Sequence, residues 1–178
     1  HGAAWFAGFY LNELLLRLLA RDDAHPRLFD AYAAALACLD GNELRSESAL
    51  RAFELLLLQE TGVLPELHRT TLTQAQVQPE RRYVLRPDQG LADAAAADTV
   101  LTGAHCLALA AALQAWSSSA PDDGVAFANL QRACAADLPP LKAQLRAQLH
   151  YHLGGATLRT RQVMIDSQRL LEAGPSKR

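Results

Sequence analysis

Three groups of side chains in this sequence have the types to do chemistry. His150 and His152 stand two apart in HYH. On a helix that spacing puts them on nearly opposite sides, whereas a two-ligand metal site needs i, i+3 or i, i+4. The spacing favours ordinary surface or partly buried histidines over a metal-dependent hydrolase that would add nearby carboxylates. Arg159 and Arg161 lie in GGATLRTRQ, in the first turn of a helix expected to start after Thr157. Basic groups there face the positive end of the helix dipole. Either an anion such as phosphate sits among the free N–H groups and the two guanidiniums, or both side chains extend into water or pair with a carboxylate elsewhere. The third group is Cys38, Cys106 and Cys134, far apart in alanine-rich helical sequence. They read as buried free thiols, and without a C-x-x-C they offer no structural zinc site. The sequence contains no Walker-type loop, G-x-G-x-x-G or G-x-S-x-G, and its scattered carboxylates suggest no general-acid pair. From the residues alone nothing argues for an enzyme.

The elements that must position these groups follow from composition and charge. Half of the 178 residues are hydrophobic, rich in alanine and leucine and poor in aromatics. That balance favours one mainly α domain. The net charge of −2 is distributed in blocks. Residues 1–67 carry ten acidic and five basic groups, and residues 87–138 carry six aspartates against Arg132. Residues 68–86 hold Arg69, Arg81, Arg82 and Arg86 against Glu80, and residues 139–178 hold seven basic groups against Asp166 and Glu172. The two basic segments make an anion-binding surface if the fold brings them together, and otherwise are solvated faces. No apolar run approaches the roughly 18–20 uncharged residues of a membrane span. The start HGAAWFAGF lacks the basic head and cleavage-type end of a signal peptide. It also lacks an initiator Met and reads as a piece of something longer.

The periodicity predicts a first helix over about 4–20, apolar around most of its circumference and therefore central to a bundle. Its polar stripe is Glu13, Arg17 and Arg21. Asn12 falls off the stripe; if buried, its amide needs partners across a helix junction, since an unpaired one costs about 1–3 kcal/mol. DDAHP breaks this helix, with Asp22 or Asp23 as local caps and Pro26 in the first turn of the next. The second helix ends at Asp40–Gly41, and a third runs from about Ser46 or Ser48 to Glu60. Over 64–90 three prolines and TTLTQAQVQ predict an irregular excursion with a small hairpin, RYVLR being a strand. Helix returns within 92–116 and again over 125–135. Asp137-Leu-Pro-Pro opens another that ends at Gly154–Gly155. A last helix is expected as far as Glu172, followed by a frayed GPSKR tail. The fold class expected is an antiparallel helical bundle with a β-hairpin excursion at about 64–90.

GFYLNELLLRLLARDDAHPRLFDAY, residues 8–32, resembles the start of the helical C-terminal domain of RecO, a family of bacterial recombination-repair mediators. That family shows a Y-[IL]-N-E-L helix, an acidic break and a P-x-L-F-x-x-Y helix. ALRAFELLLLQETGVLPEL (49–67), RYVLRPDQGL (82–91) and HLGGATLRTRQ (152–162) agree in the same order. The last resembles Y-L-G-x-x-x-L-K-S-R, with Arg159 and Thr160 as conservative replacements. The likeness covers nearly the whole chain, although 92–140 matches only in texture.

The resemblance implies a helical domain over 1–178, separated from the OB-fold that precedes it in the family. It implies a cytoplasmic bacterial protein, associated with the nucleoid during repair, that catalyses nothing. Such a protein binds single- and double-stranded DNA, anneals strands coated with single-stranded-DNA-binding (SSB) protein, and helps RecR load RecA. Many members hold zinc through cysteines in the excursion; residues 62–90 contain none, so this member looks zinc-free, its hairpin held by packing. The helical domain in this family receives the acidic, phenylalanine-ended SSB tail. Arg51 is the expected partner of the tail's carboxylates, with Leu55 lining its apolar pocket. The competing role for Arg51 is an i, i+4 pair with Glu47. A DNA surface is expected from Arg81, Arg82, Arg159 and Arg161 together with Lys142 and Arg146. The reading from a different class is a helical scaffold that touches only protein partners.

Overall fold

The structure, a computed structural model, describes residues 2–20, 23–96, 98–120, 124–155, 158–160 and 162–163. Arg21, Asp22, Arg161 and the rest of the expected C-terminal helix and tail lie outside the described residues. Six helices and a three-stranded antiparallel sheet make up the described fold: α1 (Gly2–Leu18), α2 (Pro26–Ala37), α3 (Glu43–Glu60), β1 (Arg82–Arg86), β2 (Gly90–Asp93), β3 (Leu101–Thr102), α4 (Gly103–Ser118), α5 (Gly124–Ala135) and α6 (Leu138–His152). It is the mainly α architecture that the composition predicts.

Local chemistry sets most boundaries. Pro26 and Pro139–Pro140 occupy first turns, where a missing N–H costs no hydrogen bond. Asn42 caps α3, its side chain accepting from the Arg45 amide at 3.0 Å, and Thr102 caps α4 by accepting from the His105 amide at 3.2 Å. The N-cap of α2 is His25, which makes no side-chain cap bond, and Asp23 meets the His25 ring at 3.4 Å; Asp22 lies outside the described residues.

The centre of the bundle is α3, not α1. Every residue from Ser48 to Leu58 is buried, with α1, α2, α5 and α6 packed around it. α1 buries Leu11 and Leu14 fully but leaves Trp5, Phe9 and Leu16 exposed. An apolar circumference therefore did not mean a central helix. The polar positions of α3, Ser48, Arg51 and Glu54, recur at the spacing of a solvated stripe. They lie inside because they find partners there. Ser48 Oγ donates back to the Leu44 carbonyl at 2.8 Å, and Arg51 and Glu54 pair with each other.

The helix expected within 92–116 is α4, which starts at Gly103 and runs to Ser118. Before that the chain forms β2 and β3, which flank β1 in the order β2-β1-β3. Tyr83 faces Asp93 on one side and Leu101 on the other. Pairing on both edges of β1 extends the hairpin unit from the expected excursion to residue 102. Gly103 is the closest approach in this region. A Cβ there would come 1.9 Å from the Gln78 carbonyl oxygen, where Gly103 N–H donates to the Arg81 carbonyl at 2.8 Å. Tyr83 is 1% exposed, and its hydroxyl accepts from the Gln78 amide at 2.9 Å.

Candidate nucleic-acid and partner interface

The two basic segments meet. β3 is two residues long and leaves Leu85 of β1 without a strand neighbour on that edge. Two buried side chains of α6 take the strand's place. Gln144 Oε1 accepts the Leu85 N–H at 2.7 Å, and Gln148 Nε2 donates to the Leu85 carbonyl at 3.3 Å. Gln144 Nε2 also donates to the Thr99 carbonyl at 2.6 Å. Buried polar groups paired in this way satisfy the backbone as a strand would. The hairpin is thus held by side-chain hydrogen bonds as well as by packing. β1, which begins with Arg82 and ends with Arg86, lies against α6, which carries Lys142 and Arg146.

The individual cations differ in what they have free. Arg82, Arg146 and Arg159 are exposed and, among the described residues, pair with no carboxylate. Arg81 faces Asp93 at 3.1 Å with both side chains more than half exposed, a pair that solvent weakens. Arg86 is tied to Asp98 at 2.8 Å. Lys142 bonds Glu47 at 2.8 Å beside an open cleft of about 670 Å³ whose apolar wall is Leu44, Leu138 and Pro139.

Arg51 is placed differently from the expectation. Its side chain is 7% exposed, and its partner is Glu54 at 2.7 Å, one turn on, rather than Glu47. Glu54 is fully buried and accepts the Tyr10 hydroxyl at 2.5 Å. Burial pushes the Glu54 carboxyl up, opposed by the Arg51 guanidinium and the Tyr10 hydroxyl. Burial likewise drives the Tyr10 phenol well up, assisted by the Glu54 charge. Leu55, the other expected pocket residue, is 0% exposed. Both residues therefore serve the packing of α3 in this state.

In GGATLRTRQ the N–H groups of Arg159 and Thr160 are taken by a carboxylate from elsewhere in the chain, while the Arg159 guanidinium pairs with no carboxylate among the described residues and Arg161 lies outside them. Glu13 Oε1 accepts the Arg159 N–H at 2.8 Å. Its Oε2 accepts the Thr160 N–H at 2.9 Å and the Thr160 hydroxyl at 2.7 Å. Arg17, the i+4 partner expected from the stripe, completes the site at 3.0 Å. Partial burial alone would raise the Glu13 carboxyl. The Thr160 and Arg159 donors and the Arg17 charge outweigh it and hold the group below its ordinary value. Next to it Asn12 is exposed and accepts the Tyr32 hydroxyl at 2.6 Å, joining α1 to α2 through side chains rather than backbone. Glu13, Gln144 and Gln148 escaped the sequence reading. The signal for Glu13 was a carboxylate in an otherwise apolar helix; for the glutamines there was none beyond their place on one face of α6.

His150 is exposed and His152 stacks edge-on against Tyr151 at 5.2 Å, without a third ligand. Among the described residues no three His, Cys, Asp or Glu side chains gather as a metal site. All three cysteines are buried and free. No helix among the described residues is long and apolar enough to cross a membrane.

The family model described as recombination protein O C terminal matches residues 2–162. A protein of Albidiferax ferrireducens named DNA repair protein RecO is 50% identical over 171 residues, covering 95% of this chain and 65% of its own length. Proteins of the same name from a Polaromonas species and from Variovorax paradoxus are 47% and 46% identical, each with 66% of its length covered. The chain thus spans just under two thirds of these relatives.

Proposed function

Because the chain belongs to the RecO family, matching its C-terminal part, we propose that it is the helical portion of a non-enzymatic recombination mediator in bacterial DNA repair. In this reading it contributes a phosphate-binding surface to a protein that binds single- and double-stranded DNA, anneals SSB-coated strands and, with RecR, supports RecA loading. The observation that carries the reading is the docking of β1 on α6 through Gln144 and Gln148, which joins two basic segments separated by the 52 residues of 87–138. Arg82, Arg146 and Arg159 are the cations available for phosphates, with Arg81 and Lys142 recruited from their carboxylate partners and Arg161 following in sequence. Such contacts give affinity that ignores sequence and falls with salt.

Anisotropy of a labelled single-stranded oligonucleotide, titrated with the 178-residue chain at several salt concentrations, tests this. Binding with a log–log salt slope that falls by about 0.7 for each of Arg82→Ala and Arg146→Ala supports it. No binding at low salt favours the scaffold reading. That alternative has its own observation: Arg81 and Lys142 already have carboxylate partners.

The SSB tail is proposed as the protein partner. Reception by Arg51 and Leu55 requires Tyr10 to leave Glu54, so that the seam between α1 and α3 opens and a tail carboxylate takes the place of Glu54 at the guanidinium. An acidic peptide ending in Phe, titrated against the chain and against Tyr10→Phe, checks this. Tighter binding to the variant supports an opened seam; equal binding moves the tail to another surface.

A further inference from the structure

The Glu13 carboxylate meets the far end of the described chain with all of its acceptor capacity on one side. Arg159 N–H, Thr160 N–H and Thr160 Oγ1 converge on its two oxygens at 2.7–2.9 Å, across sequence separations of 146 and 147 residues. The segment that it holds would otherwise be loosely tethered. It follows Gly154 and Gly155, both at positive φ, +68° and +75°, a backbone region that glycine enters freely. Leu158 packs on the core, but Arg159 beside it is exposed and has no carboxylate partner among the described residues. The backbone of Arg159 is therefore fixed while its guanidinium is free. Arg17 sits on the same carboxylate at 3.0 Å. Glu13 and Arg17 cancel, so the anchor adds no net negative charge that would repel a phosphate near Arg159.

We propose that Glu13 is the positioning residue of this surface: it fixes the backbone of Arg159 and Thr160 so that the Arg159 guanidinium is presented, pre-oriented, to a nucleic-acid phosphate. The proposal rests on the DNA-contact reading of Arg159 and names what makes that contact effective. A carboxylate is required because three donors need acceptors on both oxygens, and an amide offers only one. Ordering the donor before binding removes an entropic cost from association.

The test is a double-mutant cycle on single-stranded DNA affinity, with wild type, Glu13→Gln, Arg159→Ala and the double variant. Arg159→Ala is expected to weaken binding about ten- to a hundredfold, the net worth of one hydrogen bond to a charged group, and to lower the salt slope by about 0.7. Glu13→Gln is expected to reproduce most of that loss at a temperature where circular dichroism shows the bundle still folded. The double variant is expected to bind no worse than Arg159→Ala. This non-additivity is what a merely structural role would not give.

If Arg159→Ala weakens binding while Glu13→Gln leaves it unchanged or strengthens it, the positioning role is overturned and the DNA reading stands. Fully additive losses also overturn it, since Glu13 would then act elsewhere. If Arg159→Ala has no effect, the DNA contact itself fails and the proposal falls with it. Should Glu13→Gln unfold the bundle, Thr160→Val removes one of the three bonds and leaves both N–H groups. It is expected to give a smaller loss in the same direction, silent in the Arg159→Ala background; a loss that persists there overturns the proposal.

Discussion

Gln144 stands to Leu85 as a neighbouring strand would, its amide oxygen 2.7 Å from the Leu85 nitrogen. A helix side chain completes a sheet that β3 is too short to complete. Gln144→Leu keeps the volume but leaves the Leu85 N–H and the Thr99 carbonyl without their partner. The expected cost is about 1–3 kcal/mol per group left buried and unpaired. Denaturant unfolding measures it, and hydrogen exchange should place the new exposure in β1. If DNA affinity falls in the same variant at temperatures where it is folded, the docking of the two basic segments matters for binding.

Gly103 and Gly124 form a matched pair at two helix starts. A methyl group at Gly103 would meet the Gln78 carbonyl at 1.9 Å, whereas at Gly124 it meets nothing within 4 Å. Gly103→Ala is expected to destabilise by about 1–3 kcal/mol, the range for overpacking against a backbone that must shift. Gly124→Ala is expected to be neutral or to stabilise by up to about 1 kcal/mol, because alanine is the better helix former. Thermal melts of the two variants, side by side, check both signs.

The Glu13 anchor should open in acid. Its carboxyl is held below the ordinary value of 4.5 by Thr160, Arg159 and Arg17. A group depressed in the folded state stabilises fully above its unfolded value and loses that contribution as pH falls through the folded one. Protection factors of the Arg159 and Thr160 amides are therefore expected to be flat above pH 4.5 and to collapse below it. In Glu13→Gln they should be low throughout. NMR-detected exchange provides the measurement.

Arg51 and Glu54 are expected to tolerate loss together better than loss alone. Glu54→Leu by itself strands the Arg51 guanidinium in the interior, at a cost of about 3–5 kcal/mol. Arg51→Met with Glu54→Leu replaces the pair by apolar groups and is expected to recover most of that, as buried ion pairs often do. Chemical denaturation of Glu54→Leu, Arg51→Met and the double variant gives the coupling.

Much of the architecture could be read from local signals. Prolines at Pro26 and Pro139, the Gly41 and Gly154 stops and the RYVLR strand mark their elements within a few residues. The charge blocks correctly separated the segments that end up apposed. What could not be read was which polar residue goes inside. Ser48, Arg51 and Glu54 carry the spacing of a wet face, and only their partners reveal otherwise. Glu13 and Gln144 are satisfied by groups 146 and 59 residues away, and no window of sequence contains both ends.

The chain has two tryptophans, and the fold places them in opposite surroundings. Trp5 on α1 is 70% exposed, whereas Trp116 is 8% exposed. The Arg27 guanidinium lies 5.2 Å over the Trp116 ring and donates to the Ser119 carbonyl at 3.0 Å, closing the end of α4. The protein thereby contains its own two-colour dye. Trp5 should emit to the red and be quenched by iodide, Trp116 should emit to the blue and resist it. A Trp5→Phe chain would report the core alone. A loss of the red emission and of its iodide quenching when another molecule covers α1 would make that surface visible in ordinary fluorescence, without a label.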